Sequence, residues 1–285
     1  PKDDRGSYPI SGSHLWNHQH PSICSRMAAS QDDDLWIFQA EGRVMSDEVL
    51  RQHHAVWEQK PILRLLYTEW YKEITWWLQP GKTLEVGGGT GNLKEFSQDV
   101  LCTDITRLPW LDAVTDAQFL PFLANSLDNI VLFDTLHHIE NVTLFLDEAL
   151  RTLRPYGRIV IMDPYISWLS WPIYHFLHPE PVDFSHNPLH LRATQCDRKP
   201  FDANQAISTL LFERSYDEFR AHYPQFEMRL RRRMAFFAYP LSGGFEHPSL
   251  VPMRWVRPLL RIENALSVLS RFLAFRILVV LEKQG

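Results

Sequence analysis

The chain has 285 residues, 45% of them hydrophobic, enough for one large α/β domain or for one domain plus an embellishment. A formal net charge of −5 gives no electrostatic case for nucleic acid, whose binding leans on Lys and Arg facing phosphates. Three cysteines (Cys24, Cys102 and Cys196) without short spacing argue against a disulfide framework and a zinc site, and make a reducing cytoplasm the expected compartment.

Residues 1–45 are polar, rich in Ser, His and Asp, and read as an irregular arm with one short strand near Leu35–Phe38. The chain opens at Pro1 rather than Met, and no charged start followed by an apolar core reads as a secretory signal. No stretch reaches the roughly 18 apolar residues of a spanning helix. The apolar tail Phe272–Leu281 is short and interrupted by Arg276. From Ser46 the pattern turns helical, and 46–285 reads as one domain. A second helix, about Gln59–Leu78, carries Ile62, Leu65, Leu66, Trp70 and Ile74 at helical spacing, with Pro61 in its first turn. Residues 82–163 then alternate: strands at 83–87, 100–105, 129–134 and 158–163, helices at 92–98, 108–113 and 143–153. That alternation means a parallel sheet with helices on both faces, and ligands of such sheets sit outside the carboxyl ends of the strands.

The first strand runs into Glu85-Val86-Gly87-Gly88-Gly89-Thr90-Gly91-Asn92. Glycines let the backbone turn sharply and approach a ligand closely, and a helix opened at Leu93 would turn its first amides to the same ligand. The segment reads as a nucleotide-type site or as an ordinary glycine-rich turn. A dinucleotide fingerprint needs a small residue where Asn92 stands. Asp104 ends the next strand nineteen positions after Glu85, near the roughly 20-residue offset at which an acid meets ribose hydroxyls. Its other reading is a loop aspartate that caps a helix. Asp116-Ala117 follows, then an apolar strand that exits through Asp134 into Leu136-His137-His138. Leu153-Arg154-Pro155-Tyr156-Gly157 makes a turn into the strand that ends at Asp163.

Taken in order over residues 60–165, these segments resemble class I S-adenosylmethionine-dependent methyltransferases, with Tyr156 standing where that family often has glycine. The resemblance implies a Rossmann-like α/β sheet of six parallel strands and one antiparallel strand. Phe226–Arg233 would be the sixth strand and Phe275–Leu281 the antiparallel seventh. It implies S-adenosylmethionine as cofactor, with Gly87, Gly89 and Gly91 forming the turn and Glu85 holding the amino group, directly or through water. Asp104 with Ile105 would face the ribose, Asp116 and Ala117 the adenine, and Asp134 would close the cofactor set.

Helical insertions after strand 5 (about 164–224) and between strands 6 and 7 (about 240–271) are expected to form the substrate chamber. Tyr165 and Trp168 begin an aromatic stretch that reads either as a lid or as a helix buried in the core. It has no Lys or Arg, which argues against a membrane surface. His178, Glu180, Asp183 and His186 crowd a proline-stiffened loop that reads as a ligand site or a rigid polar turn; His and carboxylate suit a metal, but none is assigned. Glu180-Pro181-Val182-Asp183 and Asn204-Gln205-Ala206 resemble methyltransferases of bacterial polysaccharide and glycolipid pathways. Asp202 is the expected N-cap of the helix that follows.

The expected reaction is methyl transfer to a hydroxyl or amine of a small molecule, a saccharide or glycolipid precursor among the candidates. His138 is the first choice as base and His137 the second, with His178 and Asp183 in reserve; the other reading is that a histidine here only packs. A nicotinamide oxidoreductase is disfavoured by Asn92, and a noncatalytic partner subunit by the intact glycines and Asp104. No nucleic-acid partner is expected, and the oligomeric state is left open.

Overall fold

The computed structural model describes residues 47–191 and 202–285. The expected arm over 1–45, with its strand near Leu35–Phe38, and Cys24 and Cys196 lie outside the described residues.

Seven strands form one sheet: β1 (Thr83–Val86), β2 (Val100–Asp104), β3 (Ala113–Val114), β4 (Leu127–Phe133), β5 (Leu153–Pro164), β6 (Phe226–Met234) and β7 (Arg276–Lys283). Their order is β3-β2-β1-β4-β5-β7-β6. Six run one way, and β7 runs antiparallel to both β5 and β6, as the resemblance implied. The central strands are buried on both faces, so they read as continuous apolar runs and not as alternating ones. Along β4, Ile130 and Leu132 point into one core with Phe145, Leu146 and Ala149 of the helix Val142–Thr152. Val131 and Phe133 point into the other, with Ile62, Leu63, Leu66, Trp70 and Ile74 of the helix Pro61–Trp76. A further helix covers 47–59.

The chain reverses its direction of winding between β1 and β4, the switch point at which such sheets bind ligands. In-register pairing of Val86 with Leu132, and of Pro164 with Arg276, brings the ends of β1, β4 and β5 and the start of β7 to one edge.

Local structure departs from the sequence reading at four places. The helix expected at 92–98 is a single 3-10 turn, Asn92–Glu95, entered through Gly91 at φ 72°. One short turn has no helix N-terminus worth the name, so the expected dipole contribution to the ligand is absent. The helix expected at 108–113 is instead a turn leading into β3, because Asp112 folds back to accept the Cys102 amide at 2.8 Å. β5 begins at Leu153, five residues before the expected position, with a register shift against β4. Within that start Tyr156 sits at φ 66°, the left-handed region where an L side chain costs about 1–2 kcal/mol, which gives a backbone reason for glycine there in similar sequences. Asp202 does not cap a helix; the helical turn starts at Ile207, and Asn204 holds the approach by accepting from the Ala206 amide at 3.0 Å.

Arg231, Arg232 and Arg233 lie in β6, each ion-paired with Glu213 or Glu73. Among the described residues no helix is long and apolar enough to cross a membrane.

Candidate functional site

A cavity of about 1400 Å³ opens over the carboxyl edge of the sheet. Pockets for one drug-sized ligand run to roughly 300–1,000 Å³, so this one has room for two molecules side by side. Glu85, Gly87, Gly88, Gly89, Thr90 and Asp134 line one part of it. His137, His138, His178, Glu180, His186 and Asn204 line another.

The glycine turn is built for close approach. At Gly87, φ is 68° and a Cβ would stand 2.2 Å from Thr135 Cγ2. The Gly88 amide donates to Thr103 O at 2.8 Å, and the Gly89 amide to Asp104 Oδ2 at 3.0 Å. Behind the turn lies Glu85, 2% exposed, whose Oε2 accepts the Cys102 thiol at 2.7 Å. Burial lifts its carboxyl to about 7, and the thiol, also desolvated and beside that carboxylate, is pushed far up. Glu85 is therefore a group that changes charge near neutral pH at the floor of a cavity.

The expected adenosine contacts lie along the same edge but outside the cavity lining. Asp104 staples two loops, its Oδ1 accepting the Thr106 amide at 2.8 Å and its Oδ2 the Gly89 amide. The Ile105 amide and the Thr106 side chain also hydrogen-bond this carboxylate. Ile105 is exposed, Asp116 accepts from the Gln118 amide at 2.8 Å, and Ala117 packs into the core. Gly91 is covered by Trp110, whose indole donates to Gly89 O at 2.8 Å and stacks on His54 at 4.4 Å. Trp110 and His54 were not picked out from the sequence, since nothing in their spacing ties them to the glycines.

At the deep end seven polar side chains interlock. His137, 3% exposed on its side chain, sets Nδ1 2.8 Å from Oδ1 of the fully buried Asp163. Asp163 Oδ2 accepts the Ser208 hydroxyl at 2.6 Å. His137 Nε2 faces Glu180 Oε2 at 3.4 Å, and His138 Nε2 faces Glu180 Oε1 at 3.6 Å. Gln205 donates to Glu180 Oε2, and His178 Nδ1 lies 3.8 Å from it. Burial opposes charge on His137, but Asp163 and Glu180 win and raise it to about 10. Burial and the neighbouring His137 charge depress His138 to about 3. With Asp163 and Glu180 as its only charged partners among the described residues, His137 keeps its proton, which sets it against the role of second-choice base, and His138 is the neutral member.

The other expected substrate residues are distributed differently. Tyr165 is buried beneath the Arg233 guanidinium, 5.5 Å from its ring centroid, and Trp168 is 82% exposed against Phe272; neither lines the cavity. Asp183 turns onto its own loop, accepting from the Ser185 amide at 2.8 Å. Asn204 lines the cavity and also clips that loop, accepting from the Asp183 amide at 2.9 Å and donating to Asp183 O at 2.8 Å. Arg276, read from the sequence as an interruption of an apolar tail, pairs with Asp134 inside a cage of Tyr239, Trp70, Phe133 and Tyr67 rings. Such a cage stabilises a desolvated guanidinium by cation–π attraction.

Residues 59–225 match the family described as "Methyltransferase domain". Two curated relatives carry the name ubiquinone/menaquinone biosynthesis C-methyltransferase UbiE. The one from Saccharophagus degradans is 28% identical over 143 residues, covering 42% of this chain and 53% of its own. The one from Dinoroseobacter shibae is 28% identical over 125 residues, covering 34% and 49%. The chain spans about half the length of the curated relatives it matches. Among solved structures, a S-adenosylmethionine-dependent methyltransferase from Thermotoga maritima, described as a possible histamine N-methyltransferase, aligns over 84% of this chain and 98% of its own at 15% identity and TM-score 0.48.

Proposed function

The chain belongs to the methyltransferase-domain family, whose methyl donor is S-adenosylmethionine, and from that premise we propose that it methylates a hydroxyl-bearing small molecule with an apolar body. One observation carries the reading: a single cavity joins the glycine turn and its buried Glu85 to the His137–His138–Glu180 cluster. When bound, the cofactor supplies a methyl group already activated on a sulfonium.

The turn fits that cofactor. A Cβ at Gly88 would lie 3.0 Å from Glu85 Oε2, so the missing side chain keeps the carboxylate approachable. Ionised Glu85 offers negative charge to a cationic nucleoside, while Asp134, also in the lining, is paired with Arg276. The donor is reactive enough that the protein mainly aligns the acceptor and excludes water. Ile173, Tyr174, Phe176, Leu177, Leu250 and Phe275 provide an apolar wall for the acceptor's body, which favours a glycolipid-like or aromatic acceptor over a bare saccharide. The acceptor hydroxyl is activated at the histidine cluster, where His138 is the group with a nitrogen lone pair to offer. The names of the curated relatives specify methylation at carbon; a ring bearing an ionised hydroxyl is nucleophilic at carbon as well as at oxygen, so the activation step is the same for both.

The test is incubation of cell extract with donor carrying an isotopic methyl label, followed by mass spectrometry. Label in an organic-soluble molecule, as O-methyl or C-methyl, is the expected result. Label in protein or nucleic acid, or on nitrogen alone, contradicts the reading. His138→Ala is expected to slow turnover by about 100-fold with donor affinity unchanged. Asp104→Ala is expected to weaken donor binding roughly tenfold, through the lost ribose contact and two amides left without their acceptor; unchanged affinity in a calorimetric titration removes Asp104 from the ribose.

A further inference from the structure

We propose that His137, His138 and Glu180 form a binding site for one divalent cation of the zinc type, open on its fourth side to the cavity. The ligand atoms of these three residues all lie within 4.8 Å of one another.

The hydrogen-bond logic leads there. An ionised carboxylate only accepts, so His137 Nδ1 must carry the hydrogen that meets Asp163 Oδ1 at 2.8 Å. The lone pair of a neutral His137 is then on Nε2, and Nε2 points at Glu180, which is also an acceptor. Two acceptors turned toward each other need something positive between them, either a proton or a metal ion. Distance separates the two. A charge-assisted N–H···O bond draws the heavy atoms to about 2.7–2.9 Å. The contacts to Glu180 are 3.4 Å from His137 and 3.6 Å from His138. Ligands about 2.1 Å from a tetrahedral ion stand roughly 3.4 Å apart, close to the two histidine–Glu180 spacings of 3.4 and 3.6 Å.

The surroundings agree. A metal-bound histidine usually gives its other N–H to a carboxylate, and Asp163, itself fixed by Ser208 at 2.6 Å, takes that part for His137. Gln205 orients Glu180, and the backbone of Asp202 hydrogen-bonds the His138 ring. The described residues supply three ligands where a closed structural site would have four, and the open side faces the acceptor chamber. Imidazole with carboxylate suits zinc-class ions better than magnesium or calcium. Resting on the function proposed above, an acceptor hydroxyl would become the fourth ligand. With the ion in place the His138 lone pair is spent on the metal, so the hydroxyl's proton would pass to solvent and its oxygen would be held as the nucleophile.

The experiment uses the full chain carrying no histidine tag, stripped with a chelator and titrated with Zn²⁺ against a chromophoric competitor. No methyl donor is present, so a failure here leaves the cofactor reading untouched, and a failure of donor binding leaves this one untouched. One tight zinc per chain is expected. Glu180→Ala and His138→Ala should each weaken it by more than about 100-fold, and Asp163→Asn by roughly 10–100-fold. His222→Ala, on an exposed helix, should bind as the parent does. Circular dichroism checks that each variant is folded; should Glu180→Ala not fold, His138→Ala, on a part-exposed ring, decides alone. No tight zinc in the parent, or equal affinity in the parent and His138→Ala, overturns the proposal.

Discussion

Replacing Glu85 by glutamine is expected to weaken S-adenosylmethionine binding by roughly 10- to 150-fold, the 1.5–3 kcal/mol typical of a hydrogen bond to a charged partner. The variant keeps the shape of the side chain and can still accept the Cys102 thiol, so the loss reports charge. The same substitution should stabilise the protein when no donor is bound. Folded Glu85 ionises near 7, whereas its ordinary value is 4.5. Between those values the folded protein keeps a proton that the unfolded chain has released. Its stability therefore falls as pH rises through that window, by roughly 3 kcal/mol in all. Glu85→Gln removes this slope and gains the difference above pH 7. Donor affinity carries the opposite dependence: a bound ammonium favours the ionised carboxylate, so affinity in the parent rises with pH through about 7 and stays flat in the variant. Urea unfolding at pH 5 and pH 8, with titrations at both, checks every part. Equal slopes in the two proteins would mean that Glu85 is ionised throughout.

Gly87→Ala is expected to cost about 2–5 kcal/mol of stability and to abolish measurable donor binding. Two causes add. An alanine at φ 68° carries the left-handed penalty of about 1–2 kcal/mol. Its Cβ also meets Thr135 Cγ2 at 2.2 Å and Oγ1 at 2.4 Å, and overpacking of that kind costs about 1–3 kcal/mol. Thr135 cannot swing away cheaply, because its hydroxyl lies 3.1 Å from both Gly87 O and Phe133 O. The double variant Gly87→Ala/Thr135→Ala separates the causes, since the closest Thr135 atom left is Cβ at 2.9 Å. It should recover part of the steric share, since a Cβ–Cβ contact of 2.9 Å is still too close, and keep the backbone share. A Gly87→Ala protein with unchanged denaturant midpoint would show that the turn relaxes freely.

Much of the edge that bears these residues was legible in the sequence, because its causes are local. Apolar runs such as 129–134 and 158–163 announce buried strands, and the acids at 104, 134 and 163 end up at the carboxyl edge because the strands run parallel. The extent of individual elements was less legible. Asn92–Glu95 is a single turn, entered through the left-handed Gly91 that ends the glycine bend, and nothing in the apolar pattern of 92–98 distinguishes that from a longer helix. The sequence named His137, His138, His178 and Glu180 separately as candidates, but their meeting in one deep cluster with Asp163 and Ser208 could not be read from it. His137 follows β4, Asp163 ends β5, Glu180 sits in the loop after the helix Ser170–Leu177, and Ser208 comes later still, so only the sheet's register and the path of the insertion bring them together. Arg276 misled for a similar reason. A charge inside an apolar strand looks like an interruption until Asp134 and four aromatic rings are found around it.

The central claim is that the bend between β1 and the 3-10 turn holds S-adenosylmethionine against Glu85. Isothermal calorimetry of the full chain at pH 8, with S-adenosylmethionine in one titration and NAD in another, tests it most directly. One equivalent of S-adenosylmethionine binding, lost or sharply weakened in Glu85→Gln, with no heat from NAD, is the predicted result. Saturable NAD binding, or S-adenosylmethionine binding that Glu85→Gln leaves unchanged, would contradict it.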